Sequence, residues 1–590
     1  MRGFGDSGPT GIDGETGMSL RILVLCTAFN GLSQRAWCEL RERGHVLDMQ
    51  VVADGESMEA AVARFAPDLV VAPMLKSAIP ETIWRRHVCL IVHPGIVGDR
   101  GPSSLDWALL EGEREWGVTV LQAAEEMDAG DIWATETFAM RQVGKSQLYR
   151  HEVTDAAIRA LLLAVERFEG GSFQPMPLDA TRSDVHGRLR PTMRPADRRV
   201  DWRMGTAEIL RRVHSGDSHP GARGRLGGDE LQLFGAAPEP LLRGRPGELL
   251  ARRDGAVCVA TGDGALWVSH LRRKGAFKLP AVQVLGESAL DGVAEQALSP
   301  FAPVEAGPRE ILYREDAGVG YLGFDFYNGA MSSDQCERLR SALLQARQRP
   351  VRTLVLMGGQ DVWSNGIHLN TIEAAEDPAA ESWRNILAMN ALVRDIVLTD
   401  SQRVVAAMHG NAGAGGAILA LAADEVWARS GVVLNPHYKG MGGLYGSEYW
   451  TYLLPRRVGE AMATELTESL RPITATAAEG IGLVDAALEG DVAGFRAEVV
   501  DRARRGNSAP AVRKLLAAKR RRREADERRK PLESYAAEEL AHMYRNFFGD
   551  DRGYHEARRR FVYKGAPPAS DTAGKGGDAA SRKGEATASA

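Results

Sequence analysis

Cysteine is scarce in this 590-residue chain and irregularly placed: five residues, Cys26, Cys38, Cys89, Cys258 and Cys336, with no Cys-x-x-Cys pair. That argues against a disulfide framework or a structural zinc cluster, and a reducing cytoplasm is expected. Buried free thiols are the default reading. Long apolar runs are also missing. The longest, such as Ala412–Ala423, falls short of the ~18 residues of a membrane span, so no membrane association is expected. Met1 to Met18 is polar and Gly-rich, with no basic stretch leading into an apolar one, so no secretory leader is expected. No sign of charge dominates. The net charge of −5 excludes a globally basic nucleic-acid binder. Thirteen histidines are spread without a His-x-x-x-His or Cys/His cluster, and no metal site is expected.

What is present is ordinary globular material, with 26% charged and 44% hydrophobic residues. At about 100–200 residues per domain, three to five units are expected. Arg21–Cys26, Val46–Val52, Leu69–Ala72, Cys89–Val92 and Val118–Gln122 read as strands, with a helix over Ser33–Arg43. This alternation predicts a parallel sheet covered by helices, whose ligands sit at the carboxyl ends of the strands. Pro and Arg cluster over 174–199, which predicts a linker. From Arg199 to Leu285 short apolar runs alternate with Gly-rich turns, predicting a small β-barrel-like unit. A break at Ser299–Pro308 precedes a second α/β unit, with strands Tyr321–Phe326 and Thr353–Met357 and a helix Ser332–Gln348. Residues 505–565 are helical in composition, the basic run 513–530 reads as a solvated helical face, and 566–590 reads as a disordered tail.

Two constellations carry chemistry. The first is Ile91-Val92-His93-Pro94-Gly95, then Gly101-Pro102-Ser103-Ser104-Leu105-Asp106-Trp107, then Met127-Asp128-Ala129-Gly130-Asp131. A histidine at a strand end with an aspartate on a later loop is a general acid/base pair in which the carboxylate orients the imidazole. At these residues the chain resembles the folate-dependent formyltransferases over 20–175, and extends into their small C-terminal domain over 190–290. The resemblance implies a Rossmann-like formyltransferase domain that uses 10-formyltetrahydrofolate. His93 and Asp128 match the family's catalytic pair, and Met74, Leu75 and Lys76 line the pterin slot. Ile91 replaces the asparagine that donates to the oxyanion. Losing such a donor costs about 100–1000-fold, which disfavours an amine acceptor and is compatible with a thiol. Lys76, Ser103 and Ser104 are candidate replacement donors.

The second constellation is Trp363-Ser364-Asn365-Gly366-Ile367-His368, then His409-Gly410-Asn411-Ala412-Gly413-Ala414-Gly415-Gly416 ahead of a helix expected over Ala417–Trp427. Two glycine-rich backbone approaches beside a helix N-terminus can aim two N–H donors at one carbonyl oxygen. Together they resemble the crotonase superfamily of enoyl-CoA hydratases and isomerases over 308–495. That implies a crotonase-like spiral α/β domain binding a CoA thioester, with the Ile367 and Gly415 N–H groups as oxyanion donors and Gly366 and Gly416 beside them. Ile418 and His437 occupy the hydratase glutamate positions, so hydration is not expected, and an apolar Ile418 would exclude water. Among nearby acid/base groups Glu448 and Tyr438 come first, His437 and Tyr445 second. Aromatic packing is the bland reading of that stretch.

The pairing of a formyl site with a CoA-thioester site resembles the hydrogenase-maturation proteins of the HypX/HoxX type. The resemblance implies a bifunctional cytoplasmic enzyme: formyl passes from 10-formyltetrahydrofolate to coenzyme A, and formyl-CoA is split to carbon monoxide for the iron of a [NiFe]-hydrogenase. Its partners would be small-molecule substrates and other hydrogenase-maturation proteins. Ser33, Gln34 and Arg35, and Arg558 to Arg560, are candidates to bind CoA phosphates. A formyl-CoA hydrolase, a formyltransferase with another acceptor, and a non-catalytic folate- and CoA-binding scaffold are the alternatives.

Overall fold

The computed structural model describes residues 19–52, 57–179, 181–303, 308–359 and 361–564; the expected tail over 566–590 lies outside them. The first sheet comprises β1 (Arg21–Cys26), β2 (Val46–Val51), β3 (Leu69–Met74), β4 (Cys89–His93), β5 (Glu115–Gln122) and β6 (Ile132–Ala139), in the order β2-β1-β3-β4-β5-β6. Strands β1, β3 and β4 carry near-continuous buried apolar runs, as strands covered on both faces do. The sheet is parallel only from β2 to β4. Strand β5 pairs antiparallel with β4, and β6 antiparallel with β5, because the connection 123–131 is too short for a parallel crossover. The carboxyl ends of β1, β3 and β4 therefore share one edge, at the reversal of strand order where such sheets place ligands.

Residues 174–199 are not a free linker. Ile132 and Met176 exchange backbone hydrogen bonds of 2.8 and 3.0 Å. Arg190 and Arg198 are buried, paired with Asp99 and Glu111 and with Asp106. Two of the arginines that made this stretch read as a linker are its anchors. The next unit packs the helix Thr206–Gly216 on an antiparallel sheet of β7 (Ala222–Leu226), β8 (Asp229–Glu239), β9 (Leu249–Arg253), β10 (Ala256–Ala260), β11 (Ala265–Arg272) and β12 (Leu279–Pro280). Its order, β7-β8-β11-β10-β9 with β12 beside β11, leaves β7 and β9 as edges, so the expected barrel is not closed by strand pairing.

The third sheet runs β13 (Ile311–Asp316), β14 (Val319–Phe324), β15 (Thr353–Gly358), β16 (Arg403–Met408), β18 (Glu425–Arg429) and β21 (Ala486–Leu488), parallel from β14 onward. A small second sheet joins β17 (Ala412–Gly413), β19 (Val433–Asn435) and β20 (Ile473–Thr474). The helix expected over Ala417–Trp427 is shorter, Gly415–Leu421, and Trp427 lies in β18. The Asp424 carboxylate ends the helical run by accepting the Val404 N–H at 2.8 Å and pairing with buried Lys519 at 2.9 Å. Helices Ala509–Arg529, Leu532–Phe548 and Gly553–Tyr563 follow. Most of the basic run 513–530 is solvated as expected, Lys519 excepted. All five cysteines are buried free thiols. Among the described residues no helix is long and apolar enough to cross a membrane.

The first and third sheets are joined through a buried ion cluster. Asp155, on the helix Thr154–Glu169, pairs with Arg35 and binds Arg429 of β18 at 3.0 and 3.1 Å. Burial pushes the Asp155 carboxyl up, but Arg429 and Arg35 outweigh it and hold the carboxyl below its usual range. Asp155→Ala leaves the buried Arg429 guanidinium without its carboxylate, while Arg35 keeps Glu39, so it should destabilise the chain by about 3–5 kcal/mol, read as a lower thermal unfolding midpoint. Because the folded-state value is depressed, the stabilisation is complete above the ordinary carboxylate value of about 4. It is lost as pH falls through the lower folded value.

Candidate active sites

At the carboxyl end of β4 the buried His93 lies between two carboxylates. Its Nδ1 is 3.6 Å from Asp128 and its Nε2 is 3.0 Å from Asp99. Asp128 holds a left-handed φ of 57° and accepts the Gly101 N–H at 3.2 Å. Asp99 is 1% exposed, and its second oxygen faces Arg190 Nε at 3.2 Å. The ring rests on Gly95, where a Cβ would lie 2.5 Å from Nε2, so only glycine admits the histidine there. Asp99 was not legible as a site residue. Its one signal was an acid six residues after the histidine on the same loop.

The proposed pterin-slot residues lie on the same sheet edge. Met74 ends β3, Leu75 packs on the core beneath, and the Lys76 N–H donates to Thr27 Oγ1 at 2.9 Å beside the end of β1. Ile91 lies within β4 and carries no donor. Of the candidate replacements, Ser103 Oγ accepts the Met193 N–H at 3.0 Å and Ser104 Oγ donates to Pro94 O at 2.8 Å. Both are held by the folding-back of the chain. Lys76 is the one with an exposed side chain.

The second site opens on a cavity of about 1160 Å³ lined by Asn30, Gly31 and Gln34 of the first unit, by the β11–β12 connection, and by Ile367, Ala414, Gly415, His437, Tyr438 and Glu448 of the third. Gly366, with φ 80°, turns the backbone so that its Cα faces the Gly415 N–H, and Ala414 enters the helix Gly415–Leu421 at φ 48°. The Glu448 carboxyl lies against Gly415, where a Cβ would be 2.8 Å from the carboxyl carbon. Tyr438 Oη donates to Glu448 Oε2 at 2.6 Å. Burial pushes the Glu448 carboxyl up to about 7 and the Tyr438 phenol well above its usual value. Glu448 and Tyr449 both adopt left-handed φ, 66° and 60°, a conformation that costs non-glycine residues about 1–2 kcal/mol each.

Not every expected residue belongs here. Gly416 and Gly366 do not line the cavity. Gly416 packs on the Ser364 backbone and accepts the Trp363 Nε1–H at 2.8 Å. Ile418 is fully buried in the core rather than facing the cavity, so its helical face cannot exclude water from a bound thioester. The apolar side chains that do line the cavity include Met441, Leu444, Ile386 and Met543. His437 lines the cavity with both ring nitrogens unpartnered, and burial lowers its basicity. Tyr445 instead stacks on His542 at 4.0 Å.

The residues proposed for CoA phosphates also divide. Gln34 lines the cavity and accepts from Asn435 at 3.0 Å. Ser33 is fully buried off the cavity, and Arg35 is neutralised by Asp155 and Glu39. Arg558 is buried against Glu373 at 2.8 Å, and Arg559 faces the same carboxylate at 3.6 Å; Arg560 does not line the cavity. The cavity brings its own cations: Arg150, Arg272, Lys274, Lys278 and Lys564, against a single carboxyl, Glu448. Burial lowers the Lys278 ammonium to about 7 and also lowers Lys564. Three of them, Arg272, Lys274 and Lys278, form one short basic stretch, and tertiary packing adds Arg150 and Lys564 to it.

A model of the enoyl-CoA hydratase/isomerase family matches residues 315–571. Models of the formyl transferase family and of its C-terminal domain match 48–165 and 192–288. Hydrogenase maturation factor HoxX of Bradyrhizobium diazoefficiens is 48% identical over 548 residues, 92% of this chain and 95% of that protein. Methionyl-tRNA formyltransferase of Nitrosomonas europaea is 24% identical over 235 residues, 39% of this chain and 71% of that one. Among solved structures, HypX from Aquifex aeolicus in complex with tetrahydrofolic acid superposes with a TM-score of 0.88 at 45% identity, covering 92% of this chain and 96% of that one.

Proposed function

The chain belongs to the HoxX/HypX family of hydrogenase maturation factors, and from that footing we propose that it moves formyl from 10-formyltetrahydrofolate to coenzyme A and then releases carbon monoxide from formyl-CoA. The product is the carbonyl ligand of a [NiFe]-hydrogenase iron, handed to other maturation proteins. Residues 20–175 and 190–290 are assigned to formyl transfer and 308–495 to the thioester reaction, with the helices of 505–564 packed on the latter.

The observation that carries this reading is one cavity lined by five basic residues and by a single carboxyl, Glu448, which lies against Gly415. Its volume and cationic lining suit a long anionic thiol ester, since phosphate oxygens gain most from charged donors. The folate slot rests on the shared edge of β1, β3 and β4, and on the tetrahydrofolate complex of the Aquifex aeolicus relative.

In the first reaction His93 takes the thiol proton as sulfur attacks the formyl carbon. The carbon–nitrogen bond to the folate then breaks, and His93 returns the proton to the leaving nitrogen. Asp128 orients the ring and balances its cationic form. In the second reaction the Ile367 and Gly415 N–H groups hold the carbonyl oxygen, and Glu448, poised by Tyr438, removes the formyl proton. The carbon–hydrogen electron pair becomes the lone pair of carbon monoxide, the carbon–sulfur bond breaks toward sulfur, and Glu448 returns the proton to the thiolate. The apolar wall of Met441, Leu444, Ile386 and Met543 keeps water from intercepting the thioester.

The basic lining has its own test. Lys274→Ala with Lys564→Ala should weaken CoA binding about 10–100-fold, at about 1.5–3 kcal/mol for a charge-assisted hydrogen bond. Titration calorimetry with CoA checks it; unchanged affinity would place the phosphates elsewhere.

A further inference from the structure

Glu448 reaches Gly415 only because two successive non-glycine residues hold left-handed backbone, and that turn is gripped from outside. The Glu448 N–H donates to Asn390 Oδ1 at 2.7 Å. The Tyr449 N–H donates to Glu539 Oε2 at 2.9 Å. The Thr451 N–H and hydroxyl donate to Glu539 Oε1 at 2.8 and 2.6 Å. Asn390 lies on the helix Pro378–Val397 and Glu539 on the C-terminal helix Leu532–Phe548. Neither lines the cavity. Glu539 is fully buried, and its carboxylate serves the unpaired N–H groups that open the helix Trp450–Glu468.

We propose that Glu539 and Asn390 are positioning residues for Glu448: they lock the Glu448–Tyr449 turn so that the carboxyl faces the thioester carbonyl, which makes the C-terminal helices a working part of the second site. This rests on the reading of Glu448 as the proton acceptor. A buried carboxylate is costly unless each oxygen is bonded. The Glu539 oxygens meet three donors, all from the turn and the helix start it holds, although burial still pushes its carboxyl up to about 8. Asn390 differs, since its amide nitrogen is buried without a partner. Packing alone does not require an amide there, whereas acceptance of the Glu448 N–H does.

The test uses the full chain supplied with formyl-CoA, reading carbon monoxide release, and separately with 10-formyltetrahydrofolate and CoA, reading tetrahydrofolate. Glu539→Gln keeps the volume and removes one acceptor oxygen; Asn390→Ala removes the other grip. Each should lower kcat for carbon monoxide release about 100-fold, the cost of a ~1 Å misplacement. KM for formyl-CoA and the rate of tetrahydrofolate formation should stay at parental values, the latter reporting that the chain is folded. An unchanged kcat, a rise in KM alone, or loss of both reactions together would overturn the positioning role. If the parent itself releases no carbon monoxide from formyl-CoA, the Glu448 reading falls, and the positioning role with it.

Discussion

Glu448→Gln should leave tetrahydrofolate formation intact and lower carbon monoxide release from formyl-CoA by about 100–10,000-fold, the usual worth of a general base. Glutamine fills the same space and still accepts the Tyr438 hydroxyl, so the cavity is preserved while the proton acceptor is gone. The parental pH profile should carry the same signature. Burial holds the Glu448 carboxyl up to about 7, and only its ionised form accepts a proton. Release should therefore rise with pH through about 7 and level off above, whereas an ordinary carboxylate would titrate near pH 4.3. Initial rates from pH 5.5 to 9 check both points. A profile flat across that range, or a Glu448→Gln variant of parental activity, would remove Glu448 from the reaction.

His93→Ala should abolish the folate-dependent half by a comparable factor, about 100–10,000-fold. The alanine removes the ring that is hydrogen-bonded to buried Asp99 and lies 3.6 Å from Asp128. The decisive part is a rescue. Supplied directly with formyl-CoA, His93→Ala should release carbon monoxide at the parental rate, because His93 is outside the cavity of the second site. Failure of both half-reactions would mean the two sites are not separable.

The sequence carried the strand-end histidine, its distant aspartate and the two glycine-rich approaches, because these are local patterns that backbone geometry demands. It also carried Tyr438 and Glu448 as a pair, but not the contact between them or with Gly415, which depends on a left-handed turn at two non-glycine residues. The errors have a common origin. Arg35 and Arg558 looked like anion binders because a charged side chain in a linear reading has no visible partner; Asp155 and Glu373, 120 and 185 positions away, are theirs. Asp99, Lys278, Asn390 and Glu539 were missed for the same reason. Each gains meaning only from what tertiary packing sets against it. Ile418 was assigned to the cavity by position in a family pattern, yet its helical face points into the core.

The most direct measurement supplies 10-formyltetrahydrofolate and CoA anaerobically to the purified chain, with deoxyhaemoglobin as the trap. Carboxyhaemoglobin should form in step with tetrahydrofolate, and should vanish in both His93→Ala and Glu448→Gln. Tetrahydrofolate accumulating with formate and no carboxyhaemoglobin would contradict carbon monoxide release and make the second site a hydrolase.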